Sequence, residues 1–158
     1  MKEFIICLCY AAGLGVVSFF LGRLLPKRWL HPDKFPFRTY VWEDQLWKAL
    51  QIRKWQAKAP DMSRLFKKLI PEKRLTQNTA QDLPLMIQET CVAELTHGLL
   101  CFAGLALLKI WRGPGGVILC VIYIVFGNLP FLLIQRYNRP RLQRLLARQA
   151  HRAKQKET

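Results

Sequence analysis

Apolar residues in this chain fall in three long blocks rather than at the spacing of an amphipathic helix or strand. Residues 4–22 run without a charge, residues 91–108 are interrupted only by Glu94 and His97, and residues 113–135 carry no charge. A helix needs about 20 apolar residues to cross a hydrocarbon core of about 30 Å. The pattern therefore predicts three transmembrane helices, the last two joined through Trp111-Arg112-Gly113-Pro114-Gly115-Gly116. Pro cannot continue the helix before it and Gly accepts reversed dihedrals, so this joint is expected to be a tight helix hairpin. A cleaved signal peptide is the competing reading of the first block. The length of the run, the lack of an A-x-A-like site after it, and Arg23, Lys27 and Arg28 on its far side favour an uncleaved span.

Composition agrees with a bilayer as the main solvent. Of 158 residues, 51% are hydrophobic, yet the formal net charge is +15, a pairing that soluble domains of this size seldom show. The expected fold is an all-α integral membrane protein, one membrane domain over residues 1–158. Its spans lie at about 4–25, 90–110 and 114–135, with a loop over 26–89 and a basic tail over 136–158. Lys and Arg concentrate in that loop and tail. The positive-inside rule then places both in the cytoplasm and the N-terminus outside, as for a multi-pass membrane protein.

Within the loop, Trp29, Phe35, Phe37, Tyr40, Trp42, Trp47 and Trp55 alternate with Arg38, Lys48, Arg53, Lys54 and Lys58. Trp favours the membrane interface while Lys and Arg snorkel towards anionic lipid. Amphipathic interfacial helices are expected over about 42–58 and, before Pro71, over 63–69, with 75–80 a polar connector. For a tethered chain, the basic tail points to the anionic leaflet or a phosphorylated cosubstrate, not nucleic acid. The five cysteines lie in the predicted spans without a C-x-x-C pair, so neither a disulfide nor a metal site is expected.

Glu94 and His97 are the chemical anomaly. A carboxylate at the centre of a spanning helix costs roughly 2.5–3.5 kcal/mol on insertion scales, so an unneeded one should be rare. At 100° per residue, Thr90, Glu94, His97 and Cys101 share one narrow arc. On the third block Asn128 and Gln135 share a face, and Pro130 withholds an N–H from the helix. His97 lies six residues past Cys91 and Asn128 six before Ile134, each about 9 Å below the cytoplasmic edge at 1.5 Å per residue, so an antiparallel hairpin brings them to one level. Gln135, Arg136, Asn138, Arg139 and Arg141 would ring the mouth above them, with Glu89 there too. A His beside a carboxylate suits a general base, and Asn and Arg donors suit an oxyanion. Packing is the alternative use of each: a Glu94–His97 hydrogen bond at a helix contact, or Asn128 as interhelical glue. No Gly-x-Ser-x-Gly element supports an acyl-serine route.

Several stretches resemble one family. Arg53-Lys54-Trp55, Glu89-Thr90, Ala93-Glu94-Leu95 with His97, and Asn128-x-Pro130 leading into Gln135-Arg136-Tyr137-Asn138-Arg139-Pro140-Arg141-Leu142 are similar to the glycosyl-4,4'-diaponeurosporenoate acyltransferases. The last string is the specific part. The resemblance implies a small bacterial membrane enzyme that esterifies a fatty acyl chain onto a sugar hydroxyl of a glycosylated C30 carotenoid acid. It carries Glu94, His97, Asn128, Gln135, Arg136, Asn138 and Arg139 over as site residues. Gly98 departs from the family pattern, which has Trp after the His; the smaller residue enlarges the space beside His97.

Together these observations predict an O-acyltransferase with His97 as base, Glu94 orienting it and Asn128 stabilising charge with an arginine. Gln135, Arg136, Asn138, Arg139, Arg141, Arg53, Trp55 and Glu89 would bind substrates. Expected partners are membrane lipids, an acyl thioester such as acyl-CoA as cosubstrate, a hydroxylated amphiphilic acceptor, and a second copy in a homo-oligomer. No further cofactor is expected. The rivals are a small membrane methyltransferase or reductase using an adenosyl or nicotinamide cofactor, and a non-enzymatic membrane interaction protein.

Overall fold

The computed structural model describes residues 1–56 and 79–156. Every regular element among them is helical. Helix α1 is Lys2–Leu24, followed by a 3-10 turn at Lys27–Trp29. Two short helices, α2 at Glu43–Leu50 and α3 at Ile52–Trp55, precede the long α4 at Thr79–Gly104. A single turn, α5 at Leu107–Ile110, leads into the hairpin. The return path comprises α6 at Pro114–Val121, a π-helical segment Ile122–Asn128, and α7 at Leu129–Lys156.

Three stretches, Lys2–Leu24, Asp82–Ile110 and Pro114–Gln155, are long and apolar enough to cross a membrane. They leave much of their apolar surface uncovered: Val16, Val17 and Phe20 on α1, and Val117, Ile118 and Phe126 on the return path, are exposed. A water-soluble chain would hide such a surface, whereas hydrocarbon solvates it.

The hairpin forms where the sequence predicts it. Gly113 adopts φ 140°, a region that side-chain-bearing residues rarely enter, and Pro114 opens α6 where its missing N–H costs nothing. Close packing follows at Gly116, where an added Cβ would lie 1.9 Å from the Trp111 carbonyl oxygen. Cys7, Leu107 and Cys120 form the core at this end, and the Tyr10 hydroxyl donates to the Ala103 carbonyl at 3.0 Å. At the opposite end, Trp47, Ile52 and Tyr137 form a second core. The pairing of α4 with α7 is the most extensive helix contact and carries the site between these two ends.

Several expectations change. The predicted helix over 42–58 is broken at Gln51, whose left-handed backbone (φ 48°, ψ 38°) separates α2 from α3. Its apolar side is not simply laid on lipid, because Trp47 and Ile52 pack on Tyr137 of α7. Helix α4 already begins at Thr79, so the end of the predicted polar connector and residues 81–89 of the predicted loop are helical. The basic tail is not a separate segment: α7 continues through Pro140 to Lys156. The predicted helix over 63–69 and most of the connector lie outside the described residues.

Candidate active site

Between Val121 and Leu129 the return helix widens to π geometry, and the N–H of Leu129 reaches the carbonyl of Ile124. The Tyr123 carbonyl accepts from the side chain of Asn128, whose Nδ2 donates to it at 3.0 Å. A carbonyl only accepts, so this bond fixes which way the buried amide faces. Its other end, Oδ1, lies 3.1 Å from Nδ1 of His97. Because Oδ1 also only accepts, Nδ1 carries the ring proton in the neutral imidazole and Nε2 keeps the lone pair. Phe131 stacks on the ring with centroids 5.2 Å apart and planes 19° from parallel. The imidazole is thus held in one plane and one tautomer by residues of the opposite helix.

Glu94 does not take part in that arrangement. Among the described residues no hydrogen bond joins it to His97; its carboxylate lies between two guanidiniums, Arg136 Nη1 at 2.6 Å from Oε1 and Arg139 Nη2 against Oε2. The expected Glu94–His97 contact is thus absent among the described residues, and His97 meets Asn128 instead. The reason is chemical: a buried carboxylate gains more from two cations than from a neutral imidazole.

Both guanidiniums are extensively engaged by protein acceptors. Arg139 is almost fully buried, with Nε on the Thr90 hydroxyl at 3.0 Å and Nη1 on the Phe37 carbonyl at 2.7 Å. Arg136 donates to Glu43 Oε1 at 2.7 Å and to the carbonyls of Pro36 and Arg38 at 3.1 Å each. Two carboxylates and two guanidiniums make a neutral cluster that ties the segment 36–43 onto α4 and α7. Removing one member of such a cluster strands a buried charge, at a cost of about 3–5 kcal/mol.

Sequence reasoning missed Glu43. It is fully buried, although it sits in a stretch that reads as interfacial. A usable signal was present: Glu43 and Asp44 are acids amid aromatic and basic residues, facing a tail without an acid before Glu157. Thr90 was placed on the polar arc, but its bond to Arg139 needs the α4–α7 contact.

Five of the remaining candidates divide between two cavities that share Arg141. Glu89, Gln135, Asn138 and Arg141 line one of about 320 Å³. Arg53 and Arg141 belong to a larger one of about 500 Å³ between α2, α3 and α7. Trp55 lies beside the Trp47–Ile52–Tyr137 core, its Nε1 donating to the Leu50 carbonyl at 3.0 Å. Among the described residues, no three His, Cys, Asp or Glu side chains are placed to hold a metal ion.

Comparison with known proteins gives this geometry its family. The family model described as "Glycosyl-4,4'-diaponeurosporenoate acyltransferase" matches residues 26–148. The chain belongs to the glycosyl-4,4'-diaponeurosporenoate acyltransferase family. Relatives of that name from Staphylococcus aureus strains bovine RF122 / ET3-1, MRSA252 and USA300 are each 30% identical over 130 residues. Those alignments cover 80% of this chain and 77% of each relative. No solved structure matches the chain significantly. The protein is accordingly an enzyme that transfers acyl groups. The matched stretch contains Glu43, Glu94, His97, Asn128, Arg136 and Arg139 and leaves α1 outside.

Proposed function

We propose that the enzyme lies in the bacterial cell membrane with three spans, its N-terminus outside and the basic half of α7 on the cytoplasmic side. There it moves a fatty acyl group from a thioester such as acyl-CoA to a hydroxyl of a glycosylated lipid or terpenoid. The relatives are named for a glycosylated diaponeurosporenoate, which makes a carotenoid glycoside the first acceptor to try. The observation that carries the mechanism is the His97–Asn128 contact, which directs the lone pair of Nε2 away from its partner.

In this mechanism Nε2 takes the proton of the acceptor hydroxyl as its oxygen attacks the thioester carbonyl. The tetrahedral adduct collapses, the carbon–sulfur bond breaks, and the imidazolium returns the proton to the departing thiolate. The ester and the free thiol are the products, and His97 ends neutral. Asn128 acts as a positioning residue, because its amide is spent on the Tyr123 carbonyl and the His97 ring. Beside His97, an added Cβ on Gly98 would meet only Leu132 Cδ1, at 3.7 Å, so the position leaves room for a bulky acceptor.

The test is reconstitution of purified protein in lipid nanodiscs with a radiolabelled acyl thioester and a carotenoid glycoside or a glycolipid. His97→Ala should lose about 10²–10⁴-fold in kcat while inserting and folding normally, the range expected for a general base. Wild-type turnover in that variant would refute the assignment. Lipid analysis of cells with and without the enzyme would identify the acceptor as the species that gains an acyl chain.

A further inference from the structure

The larger cavity is not explained by the transfer chemistry at His97. Its shape starts at Gln51: the left-handed residue turns α3 away from α2 and spreads Lys48, Arg53 and Lys54 around a hollow. The opposite wall is α7, where Tyr137, Arg141 and Arg144 recur at i, i+4 and i+7 and so share one face. Contact between Trp47 and Tyr137, with centroids 5.9 Å apart, holds the two walls together. Arg141 lies 3.8 Å above the Tyr137 ring, which limits the guanidinium's freedom.

Five cations thus surround about 500 Å³ of concave space, with Asp44 the one acidic residue lining it. Among the described residues, no ion pair ties Asp44 to any of them. The contrast within one helix is sharp: Arg136 and Arg139 donate to protein carboxylates and carbonyls, while Arg141 and Arg144 one to two turns later face the hollow. Cations gathered in a concavity repel one another until an anion enters. The volume lies in the range of small-ligand sites.

We infer that this cavity seats the phosphoryl groups of the acyl donor, a thioester built on a phosphorylated nucleotide. The inference rests on the acyltransferase reading above. Phosphoryl groups also occur on lipid headgroups, and the arrangement of the cavities separates the two sources. Arg141 lines the smaller cavity as well, together with Gln135 and Asn138, and so connects the basic hollow with the helix face leading back to Asn128. From Arg141 to Asn128 is 13 residues of helix, about 20 Å at 1.5 Å per residue. A nucleotide thioester has its charge at one end and its reactive carbon at the end of a long arm. A phospholipid has its acyl esters next to the headgroup and does not need that separation.

The experiment uses the full chain in phosphatidylcholine nanodiscs and measures coenzyme A binding by calorimetry. Wild type should bind, and the double variant R53Q/R144Q, which alters two exposed side chains, should bind at least about tenfold more weakly, as expected for lost hydrogen bonds to charged groups. Equal binding by the two proteins overturns the inference. Repeating the titration in phosphatidylglycerol nanodiscs tests the other source. Little change supports the nucleotide, whereas suppression of wild-type binding to the level of the double variant assigns the cavity to headgroups and overturns it.

Transfer assays keep this inference apart from the reading on which it rests. An acyl N-acetylcysteamine thioester has no phosphate, so R53Q/R144Q should raise KM for palmitoyl-CoA about tenfold more than it raises KM for this donor. Equal KM values for palmitoyl-CoA overturn the cavity assignment alone. Coenzyme A binding that depends on the arginines, without transfer from either donor, refutes the acyltransferase mechanism and leaves the cavity assignment standing.

Discussion

Asn128 Oδ1 meets His97 Nδ1 at 3.1 Å across 31 positions of sequence, and the same amide holds the Tyr123 carbonyl through Nδ2. Each bond determines the other, because the amide has one accepting and one donating end. Asn128 closes the π-helical segment Ile122–Asn128, and such segments are frequent at functional sites.

Asn128→Ala should therefore lower kcat by about 10–100-fold, the scale seen when the orienting partner of a histidine is removed, with KM little changed. Asn128→Asp keeps an acceptor for Nδ1–H and should recover part of the loss. Steady-state kinetics in nanodiscs make the comparison. Equal activity of the alanine variant and wild type would show that the tautomer is set elsewhere.

Glu94 separates two roles in one experiment. If it holds the arginine cluster, Glu94→Ala should destabilise the protein by about 3–5 kcal/mol, because Arg139 and Arg136 are left without their shared carboxylate. Folded yield and thermal unfolding in detergent would report this. The fraction that remains folded should keep a kcat well above that of His97→Ala, since no bond runs from Glu94 to the imidazole among the described residues.

Glu43 and Arg136 fasten the start of α2 onto α7. In a double-mutant cycle with Glu43→Ala and Arg136→Ala, the coupling energy should be about 0.5–3 kcal/mol, the range for residues in one network. Hydrogen exchange of the backbone over residues 36–47 should quicken in Glu43→Ala. Additive single effects with unchanged exchange would mean that the loop is held by its aromatic contacts instead.

At the hairpin, Gly116→Ala should destabilise the fold by about 1–3 kcal/mol, as overpacking does, because the added methyl meets the Trp111 backbone carbonyl. Gly98→Ala should be neutral, with its Cβ in ordinary contact range of Leu132. Thermal unfolding of the two variants side by side checks both statements.

Much of the fold was legible because the bilayer imposes a length rule that acts on single segments. Three uncharged or nearly uncharged blocks and a Gly-Pro joint need no partner to be recognised, and helices appear at those places. His97 and Asn128 were also placed at one depth, since helical rise and an antiparallel joint give depth directly. The loop was less legible. Its aromatic and basic alternation suits an interfacial helix, but α2 and α3 are set by the left-handed Gln51 and by Trp47 and Ile52 meeting Tyr137, contacts with a residue some ninety positions away.

What the sequence determined by itself is which groups must be buried in the helical hairpin: a carboxylate, an imidazole and an amide at known depths, with cations at one end. Which of them pair was decided by the tertiary structure. Glu94 had a neighbour on its own helix face in His97 and two cations on another helix, and helical periodicity does not rank the two. Packing α4 against α7 brought Arg136 and Arg139 to the carboxylate and left His97 to Asn128. The physical reason is that a buried charge takes the partner of opposite charge that the fold puts within reach, and that reach is a property of two helices together.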